Sequence, residues 1–229
     1  MTAQVHQAPS FADLDVTLAP HLPPSLDAPT LDLGCGTGRV MAYLIAKGHR
    51  NVQGVDVDEL AVRWTSEHVS PRVQHISDLG GFLATARARF ELIIAKDVIY
   101  YFPRPLLLPY LRAIRTALTP GGRMVCEVFN GASFSGPLVK HKDFRIEWIF
   151  TEHSLRDALE ESGFVVESLV GSRHPGVGFN AALFRGAQRA WQLALSGAYF
   201  VERGFDAENP KILSKKLIAV AGPNGVSHG

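Results

Sequence analysis

The residues from Leu31 to Gly38 read LDLGCGTG, a short apolar run that passes directly into three alternating glycines. The apolar run is typical of a buried strand, and the stretch of helical period from Arg39 onward indicates a helix. Glycine permits a sharp turn between the two and leaves a bare backbone, with free amide hydrogens at the helix start, against which a ligand can lie. The stretch therefore predicts a strand, a turn and a helix with a ligand at the turn.

The rest of the chain repeats this alternation of apolar runs and stretches of helical period. Such repetition is typical of strand–helix–strand units around a mostly parallel sheet, so the sequence predicts an α/β fold. We expect a single domain over residues 1–229, with a helical lead-in at 1–29 and a helical insertion at 172–214. The expected strands lie near residues 30–33, 52–55, 73–76, 92–95, 123–128, 165–169 and 217–221. The expected helices lie near residues 11–22, 39–47, 58–68, 106–118 and 153–162.

The charges of the chain nearly balance, with 23 Lys and Arg against 22 Asp and Glu. No global field attracts nucleic acid, so we expect no nucleic-acid partner. No 18 apolar residues run together and no basic, apolar leader precedes Arg39, which favours a cytoplasmic protein. Cys35 and Cys126 fit small core residues in a reducing compartment. No metal-ligating cluster is visible in the sequence, so we expect no metal site.

The glycine spacing narrows the choice of ligand. Gly34, Gly36 and Gly38 form G-x-G-x-G, and Arg39 stands where a dinucleotide-binding fingerprint has its third glycine. Asp32 would repel a phosphate but suits a cationic amino group. Both observations argue against a pyrophosphate ligand.

Two further acids follow the next two predicted strands. Asp56, in GVDVD, comes about 20 residues after the glycines, where a carboxylate can accept both hydroxyls of a ribose. Asp78, in HISDL, is placed to accept from the exocyclic amine of an adenine, with Leu79 beside the ring. A ligand with an amino-acid end, a ribose and an adenine, but no phosphate, fits this set.

These stretches, followed by FELIIAKDVIYYFP and LTPGGRMVCEVFN, resemble the successive motifs of the class I S-adenosylmethionine-dependent methyltransferases over residues 31–221. The resemblance implies a Rossmann-like sheet of seven strands, mostly parallel with the last antiparallel, and helices on both faces. It implies that S-adenosylmethionine binds, and that S-adenosylhomocysteine is the product. The cofactor contacts that it implies are Asp32, Gly34, Cys35, Gly36, Gly38, Asp56, Val57, Asp78, Leu79 and Asp97.

Each of these assignments has a plainer alternative. Gly34 and Gly36 could serve only to make the turn. Asp56 could be an acidic charge at a helix amino terminus, and Asp78 could be an N-cap.

The catalytic candidates follow the carboxyl ends of predicted strands. A hydroxyl acceptor benefits from a base, whereas a deprotonated amine or carboxylate can attack unaided. The candidates are Asp97 near the sulfonium, Tyr101 as an orienting hydroxyl, and His174 as the base. The alternatives are a core aromatic for Tyr101 and a surface residue for His174. Less favoured positions are Tyr100, Asn130, His141 and Glu147.

Two segments suggest the acceptor. DFRIEWIFTEHSLRDALEESGF and ILSKKLIAVA are similar to methyltransferases of bacterial surface-glycan and O-antigen biosynthesis, which implies transfer to a hydroxyl of a sugar or glycan precursor. Those proteins tend to carry Glu-His where this chain has Tyr100-Tyr101, and His-Glu where it has Ile146-Glu147. Two alternatives stay open: methylation of another small metabolite or natural-product intermediate, on oxygen or nitrogen, and a non-catalytic S-adenosylmethionine-binding protein.

The insertion at residues 172–214 contains a helical apolar stripe from Leu183 to Tyr199, opposite a polar face with Arg185 and Arg189. The first interpretation is that the stripe packs on the protein's own sheet or over the site. The second is a homodimer interface, and the third is contact with a membrane surface. Because an antiparallel last strand must begin where the sixth strand ends, we expect the insertion to cover the acceptor side of the site and to select the substrate.

Overall fold

A computed structural model describes residues 10–173 and 179–223 and contains a seven-stranded sheet. The strands are β1 (Thr30–Leu33), β2 (Val52–Asp56), β3 (Val73–His75), β4 (Phe90–Lys96), β5 (Leu118–Phe129), β6 (Val165–Gly171) and β7 (Lys216–Gly222). Their spatial order is β3-β2-β1-β4-β5-β7-β6, and β7 runs antiparallel to both of its neighbours. The parallel pairs join β3 to β2, β2 to β1, β1 to β4, and β4 to β5. The predicted fold is therefore confirmed, including the antiparallel last strand.

Eight α-helices accompany the sheet in the described residues. They are α1 (Ala12–Thr17), α2 (Arg39–Ala46), α3 (Glu59–His68), α4 (Leu79–Thr85), α5 (Leu107–Ala117), α6 (Gly136–Lys142), α7 (Glu152–Glu161) and α8 (Phe179–Arg203). Helix α8 lies between β6 and β7, as the helical insertion predicts. No helix among the described residues is long and apolar enough to cross a membrane.

The core divides into two layers because successive residues of a strand face opposite sides of the sheet. In β4, Ile93 packs in the layer beneath α4, α5 and α7, whereas Leu92 and Ile94 pack in the layer with α1 and α2. Buried side chains from those helices, such as Leu111 on one side and Tyr43 on the other, complete the layers. Helices on both faces leave the carboxyl ends of the parallel strands free for a site.

Several local expectations need correction. Helices α4 and α6 are absent from the predicted elements, because each has only seven residues and begins with or contains glycine. The sequence TPGG at residues 119–122 predicts a turn between helix and strand, but these residues form an irregular stretch of β5, where the register against β4 shifts. Thr151 stands just before a predicted helix, which predicts an N-cap there; this is confirmed, since its side chain accepts from the amide of Ser154 in a capping box.

Candidate active site

A cavity of about 580 Å³ opens at the carboxyl ends of β1, β2 and β4. This volume is in the range of small-molecule sites, roughly 300–1,000 Å³. The predicted site residues in its wall are Gly34, Gly36, Asp56, Val57, Leu79, Asp97 and Tyr101. The predicted residues Asp32, Cys35, Gly38 and Asp78 lie outside this wall. His174 lies outside the described residues.

The three glycines after β1 all adopt left-handed backbone angles, with φ of +72° at Gly34, +49° at Gly36 and +73° at Gly38. A Cβ atom at Gly34 would lie 2.5 Å from Val98 Cγ2, and one at Gly38 would lie 2.6 Å from Thr65 Cγ2. At Gly36 a Cβ atom would meet no atom within 4 Å. Gly34 and Gly38 are therefore required by close packing, whereas Gly36 leaves an open cradle in the cavity wall.

Asp56, at the end of β2, is hydrogen-bonded to this glycine turn. Its Oδ2 accepts from the amide of Gly36 at 2.7 Å, and its Oδ1 accepts from the amide of Asp58 at 2.9 Å. The N-cap of α3 is Asp58, whose Oδ1 accepts from the amide of Leu60 at 2.9 Å. Because each carboxylate oxygen of Asp56 accepts only one of these bonds, both keep a lone pair for a ligand hydroxyl.

Asp32 lies beneath the turn, with 1% of its surface exposed. Burial raises the pKa of Asp32 to about 7, although the backbone amide of Met41 works in the opposite direction. Its Oδ2 is buried and has no hydrogen-bond partner among the described residues. An orphaned carboxylate oxygen next to the cradle fits a cationic group as its missing partner.

Cys35 and Asp78 lie beside the cavity rather than in its wall. Cys35 is a core residue packed with Met41, and burial raises the pKa of its thiol. Asp78 stands at the N-cap position of α4 but makes no side-chain cap hydrogen bond. Its neighbours Ser77 and Leu79 contribute to the wall instead.

Asp97 is the centre of a four-residue ion cluster that the sequence did not predict. Lys216 Nζ lies 2.8 and 2.6 Å from its two oxygens, and Lys96 Nζ lies 2.9 Å from Oδ2. Both ammonium groups also donate to Glu127 Oε1, at 2.5 Å from Lys216 and 2.7 Å from Lys96. The signals in the sequence are Lys96 at the end of β4, Glu127 near the end of β5 and Lys216 at the start of β7.

The ion cluster keeps Asp97 ionised. Burial acts to raise the pKa of Asp97, but the charges of Lys216 and Lys96 outweigh it, so this pKa lies below its ordinary value. Burial acts to lower the pKa of Lys96, but Glu127 and Asp97 raise it overall. Asp97 also has a left-handed φ of +59°, unusual for a residue with a side chain. Such backbone strain clusters at functional sites.

Tyr101 lies in the wall of the same cavity as Asp97. Its hydroxyl donates to Asp143 Oδ2 at 3.1 Å, and Arg145, another wall residue, pairs with Asp143 at 2.8 Å. Burial and the neighbouring Asp143 raise the pKa of Tyr101. It therefore suits orientation rather than proton removal. Its neighbour Tyr100 is buried in the core.

Asn130 has a structural role. Its Nδ2 donates to the carbonyl oxygens of Ile212 at 2.7 Å and Ser214 at 2.9 Å, and its Oδ1 accepts from the amide of Ala132 at 3.0 Å. Glu152 holds the same segment, since its two carboxylate oxygens accept from the amides of Lys211 and Ile212. These two side chains attach the end of the insertion to the body of the domain.

Helix α8 turns a mixed apolar and polar face toward the domain. In the apolar stripe, Trp191 is 50% exposed, but Leu195 and Tyr199 are half-buried. Arg185 of the polar face is half-buried as well. Trp191 contacts Phe134, which is itself largely exposed. The apolar stripe is therefore partly packed against the domain and partly exposed.

The family model described as "Methyltransferase domain" matches residues 6–169, and the chain belongs to this family. A tRNA U34 carboxymethyltransferase of Pasteurella multocida (strain Pm70) is 32% identical over 114 residues, 47% of this chain and 34% of the relative. A ubiquinone biosynthesis O-methyltransferase of Cereibacter sphaeroides is 31% identical over 103 residues, 44% of this chain and 40% of the relative. The chain thus matches well under half of the length of these curated relatives.

The fold is similar to that of a methyltransferase from Haloferax volcanii, solved in complex with the Trm112 methyltransferase activator. The TM-score is 0.68 at 16% identity, over 94% of this chain and 90% of the other. The chain thus carries a methyltransferase domain, and its fold is also similar to that of an S-adenosylmethionine-dependent methyltransferase from Archaeoglobus fulgidus, with a TM-score of 0.62 at 16% identity over 85% of this chain and 86% of the other. The open cradle at Gly36 and the orphaned oxygen of Asp32 fit this cofactor.

Proposed function

We propose that this enzyme methylates a hydroxyl of a small acceptor, a sugar or glycan precursor. The supporting observation is that one cavity joins the cofactor residues Gly36, Asp56 and Leu79 to Asp97 and Tyr101. In this arrangement the acceptor lies beside Asp97, next to the cofactor.

The residues around the glycine turn would hold the cofactor. S-adenosylmethionine, when bound, supplies a methyl group on a positively charged sulfur. Asp56 would accept from the ribose hydroxyls with the lone pairs that its two backbone bonds leave free. Leu79, Ile76 and Val57 offer apolar contacts for the adenine, and the carboxyl group of Asp32, which is buried behind the cavity wall, would attract the ammonium group electrostatically. Their common role is to fix the donor in place, which is the main task in an in-line displacement.

Asp97 and Tyr101 would orient the acceptor. A carboxylate held ionised by two ammonium groups accepts a hydrogen bond from a hydroxyl and points its oxygen lone pair toward the donor. The lowered pKa of Asp97 makes it a weak base, so proton removal falls to another group. His174 is the candidate for that role from the sequence.

The acceptor class is tested by incubating the full chain with methyl-labelled cofactor and a panel of acceptors. The panel contains sugar nucleotides, free sugars, small amines and phenols, with an Asp97→Asn variant as the negative control. We expect the label to appear on sugar nucleotides. We also expect a chelator to leave turnover unchanged, because no metal is proposed. Labelling of amines alone, or activity that is lost with chelator and restored by magnesium, would contradict the proposal. Cofactor binding with no transfer to any acceptor would favour the non-catalytic alternative.

A second acceptor class comes from the similarity to a tRNA-modifying relative. The balanced net charge of +1 argues against a large nucleic-acid surface, but it does not exclude a local one. Adding tRNA to the same panel of acceptors separates the two acceptor classes. Strong labelling of tRNA with none of the sugar nucleotides would replace the glycan proposal.

A further inference from the structure

Helix α8 carries an exposed apolar face along most of its 25 residues. Seven exposed residues recur there with a helical period, and we call them the outer stripe: Leu183, Ala187, Ala190, Trp191, Ala194, Ala198 and Val201. The exposed fraction is 66% for Leu183, 50% for Trp191 and 85% for Val201. Because a helix gains most of its stability from packing its apolar face, leaving this stripe in water is unfavourable.

The domain holds α8 by a neighbouring side of the helix. Ala181 is buried there, and Leu195 and Tyr199 are half-buried. The hydroxyl of Tyr199 donates to the carbonyl oxygen of Ala132 at 3.3 Å. The outer stripe is therefore presented to solvent by a helix that the domain already holds in place.

The exposed apolar surface continues from α8 onto the domain. The rings of Trp191 and Phe134 pack edge to face, with their centroids 5.3 Å apart. Phe134, in the segment after β5, is itself 73% exposed. The outer stripe and Phe134 thus form one apolar surface that spans two parts of the chain.

This surface is large enough for a dimer. The outer stripe spans residues 183–201, so it is about 28 Å long and about 12 Å wide, or roughly 340 Å². Phe134 adds about 110–180 Å², because aromatic side chains present about 150–250 Å² each. Two such surfaces bury about 1,000 Å² in total, which is roughly the size that a specific interface needs.

The order of side chains along the outer stripe favours a second copy of this chain as the partner. From Leu183 to Ala198 the spacings are 4, 3, 1, 3 and 4 residues, the same in both directions. Two antiparallel helices related by a twofold axis therefore place Leu183 of one copy opposite Ala198 of the other. The same axis places Trp191 opposite Ala190. Each large side chain meets a small one, so the two helices can approach closely.

A lipid surface fits the outer stripe less well than a second helix does. Helices that lie on a membrane insert large apolar side chains such as Trp, Phe and Leu. In the outer stripe, four of the seven residues are alanine, which offers little area to lipid but permits close contact between helices.

We infer that α8 is the interface of a homodimer in which the outer stripes of two copies pair in antiparallel fashion. The pairing covers the exposed rings of Trp191 and Phe134 and holds the insertion in a fixed position on each domain. All seven residues of the outer stripe lie outside the wall of the first cavity, so this inference does not depend on the identity of the acceptor.

The test is the mass of the full chain in solution, measured by sedimentation equilibrium at micromolar and higher protein concentrations. We expect twice the mass of one chain. Ala194→Glu buries an unpaired charge near the centre of the interface in each copy, so it should weaken dimerisation about tenfold or more. The matched control is Ser196→Glu, which adds the same charge at an exposed residue on the opposite side of α8 and should leave the dimer unchanged. Both variants should keep the circular dichroism and urea midpoint of the unaltered chain, which confirms that they fold.

The direction of pairing is tested by disulfide cross-linking of Ala187→Cys with Ala194→Cys, because antiparallel pairing places these two positions opposite each other. The chain's own Cys35 and Cys126 are buried. Under mild oxidation, a mixture of the two variants should give a disulfide-linked dimer, whereas each variant alone should not.

A monomer at every concentration would overturn the inference, and so would a dimer that Ala194→Glu leaves unchanged. Cross-linking of each cysteine variant with itself would overturn the antiparallel pairing. Binding of a monomeric chain to phosphatidylglycerol vesicles, lost in Ala194→Glu and kept in Ser196→Glu, would replace the second copy by a membrane surface.

Discussion

Lys216 donates to both carboxylate oxygens of Asp97, at 2.8 and 2.6 Å, although 119 positions separate the two residues. Lys216 begins the antiparallel strand β7, and Asp97 follows the parallel strand β4. The contact therefore exists only because β5 lies between these strands and brings their ends to one edge of the sheet. The contact connects the strand that follows the insertion to the candidate active site.

We expect Lys216→Met to lower kcat/KM about tenfold or more, the scale of a lost charge-assisted hydrogen bond. Loss of one of the two ammonium groups raises the pKa of Asp97, so the acid limb of the pH profile of kcat/KM should move to higher pH. The folded-state pKa of Asp97 is lowered, so its stabilising contribution exists above the ordinary pKa and is lost as pH falls through the lowered value. Lys215→Met, at the exposed neighbouring residue, is the control. Identical profiles for both variants would refute the orienting role of the pair.

We expect Asp56→Ala to weaken S-adenosylhomocysteine binding by roughly 1.5–3 kcal/mol, the range for hydrogen bonds to a charged group. The variant loses the bond from the Gly36 amide as well as the acceptor for the ribose. Calorimetry with S-adenosylhomocysteine and with NAD measures this, and NAD should bind neither protein. Glu59→Gln, an exposed change in α3, controls for the loss of one negative charge. Tight NAD binding by the unaltered chain would contradict the assignment of the glycine turn to S-adenosylmethionine.

Substitutions of two glycines after β1 should separate an effect on stability from an effect on cofactor binding. Gly34→Ala places a Cβ atom 2.5 Å from Val98 Cγ2, so we expect it to lower the free energy of unfolding by about 1–3 kcal/mol or more. Gly36→Ala meets no atom within 4 Å, so it should cost less stability but fill the cradle and weaken the cofactor. Urea denaturation and calorimetry on both variants provide the comparison. A Gly36→Ala protein with normal cofactor affinity would show that this cradle is not the binding surface.

His174 is expected to act as the base for a hydroxyl acceptor. General bases contribute about 10²–10⁴ in rate, so His174→Ala should lower kcat at least tenfold while leaving S-adenosylhomocysteine affinity unchanged. His68→Ala, at an exposed residue at the end of α3, is the matched control. A loss of less than about tenfold would assign proton removal to another group or to water.

The sequence predicted well those features that depend on local pattern. The predicted bounds of β1 match Thr30–Leu33, because Pro29 and Gly34 delimit an apolar run. Helix α8 was also predicted, since its apolar stripe has a helical period. The short helices α4 and α6 were not, because seven residues give too little periodicity to distinguish them from loops.

Features that depend on distant residues could not be predicted in the same way. Lys96 and Glu127 are register partners in neighbouring strands, and Lys216 joins them only through the pairing of β7 with β5. No local pattern distinguishes these charges from solvent-exposed ones. Likewise, the stripe on α8 indicates a helix with two faces, but it does not indicate which face is turned toward the sheet.

The last prediction concerns the insertion, which we expect to select the acceptor. Asn130 and Glu152 hold its end at residues 211–214, so deleting residues 175–210 and bridging the gap leaves these attachments in place. Because the cofactor residues belong to β1, β2 and β4, S-adenosylhomocysteine affinity should stay within a few fold of the full chain. Methyl transfer to the natural acceptor should be abolished, because the segment that we expect to cover the acceptor side of the site is removed. A shortened protein that binds the cofactor and retains full activity would show that the insertion does not select the substrate. It would favour the interpretation of the apolar stripe as an interface.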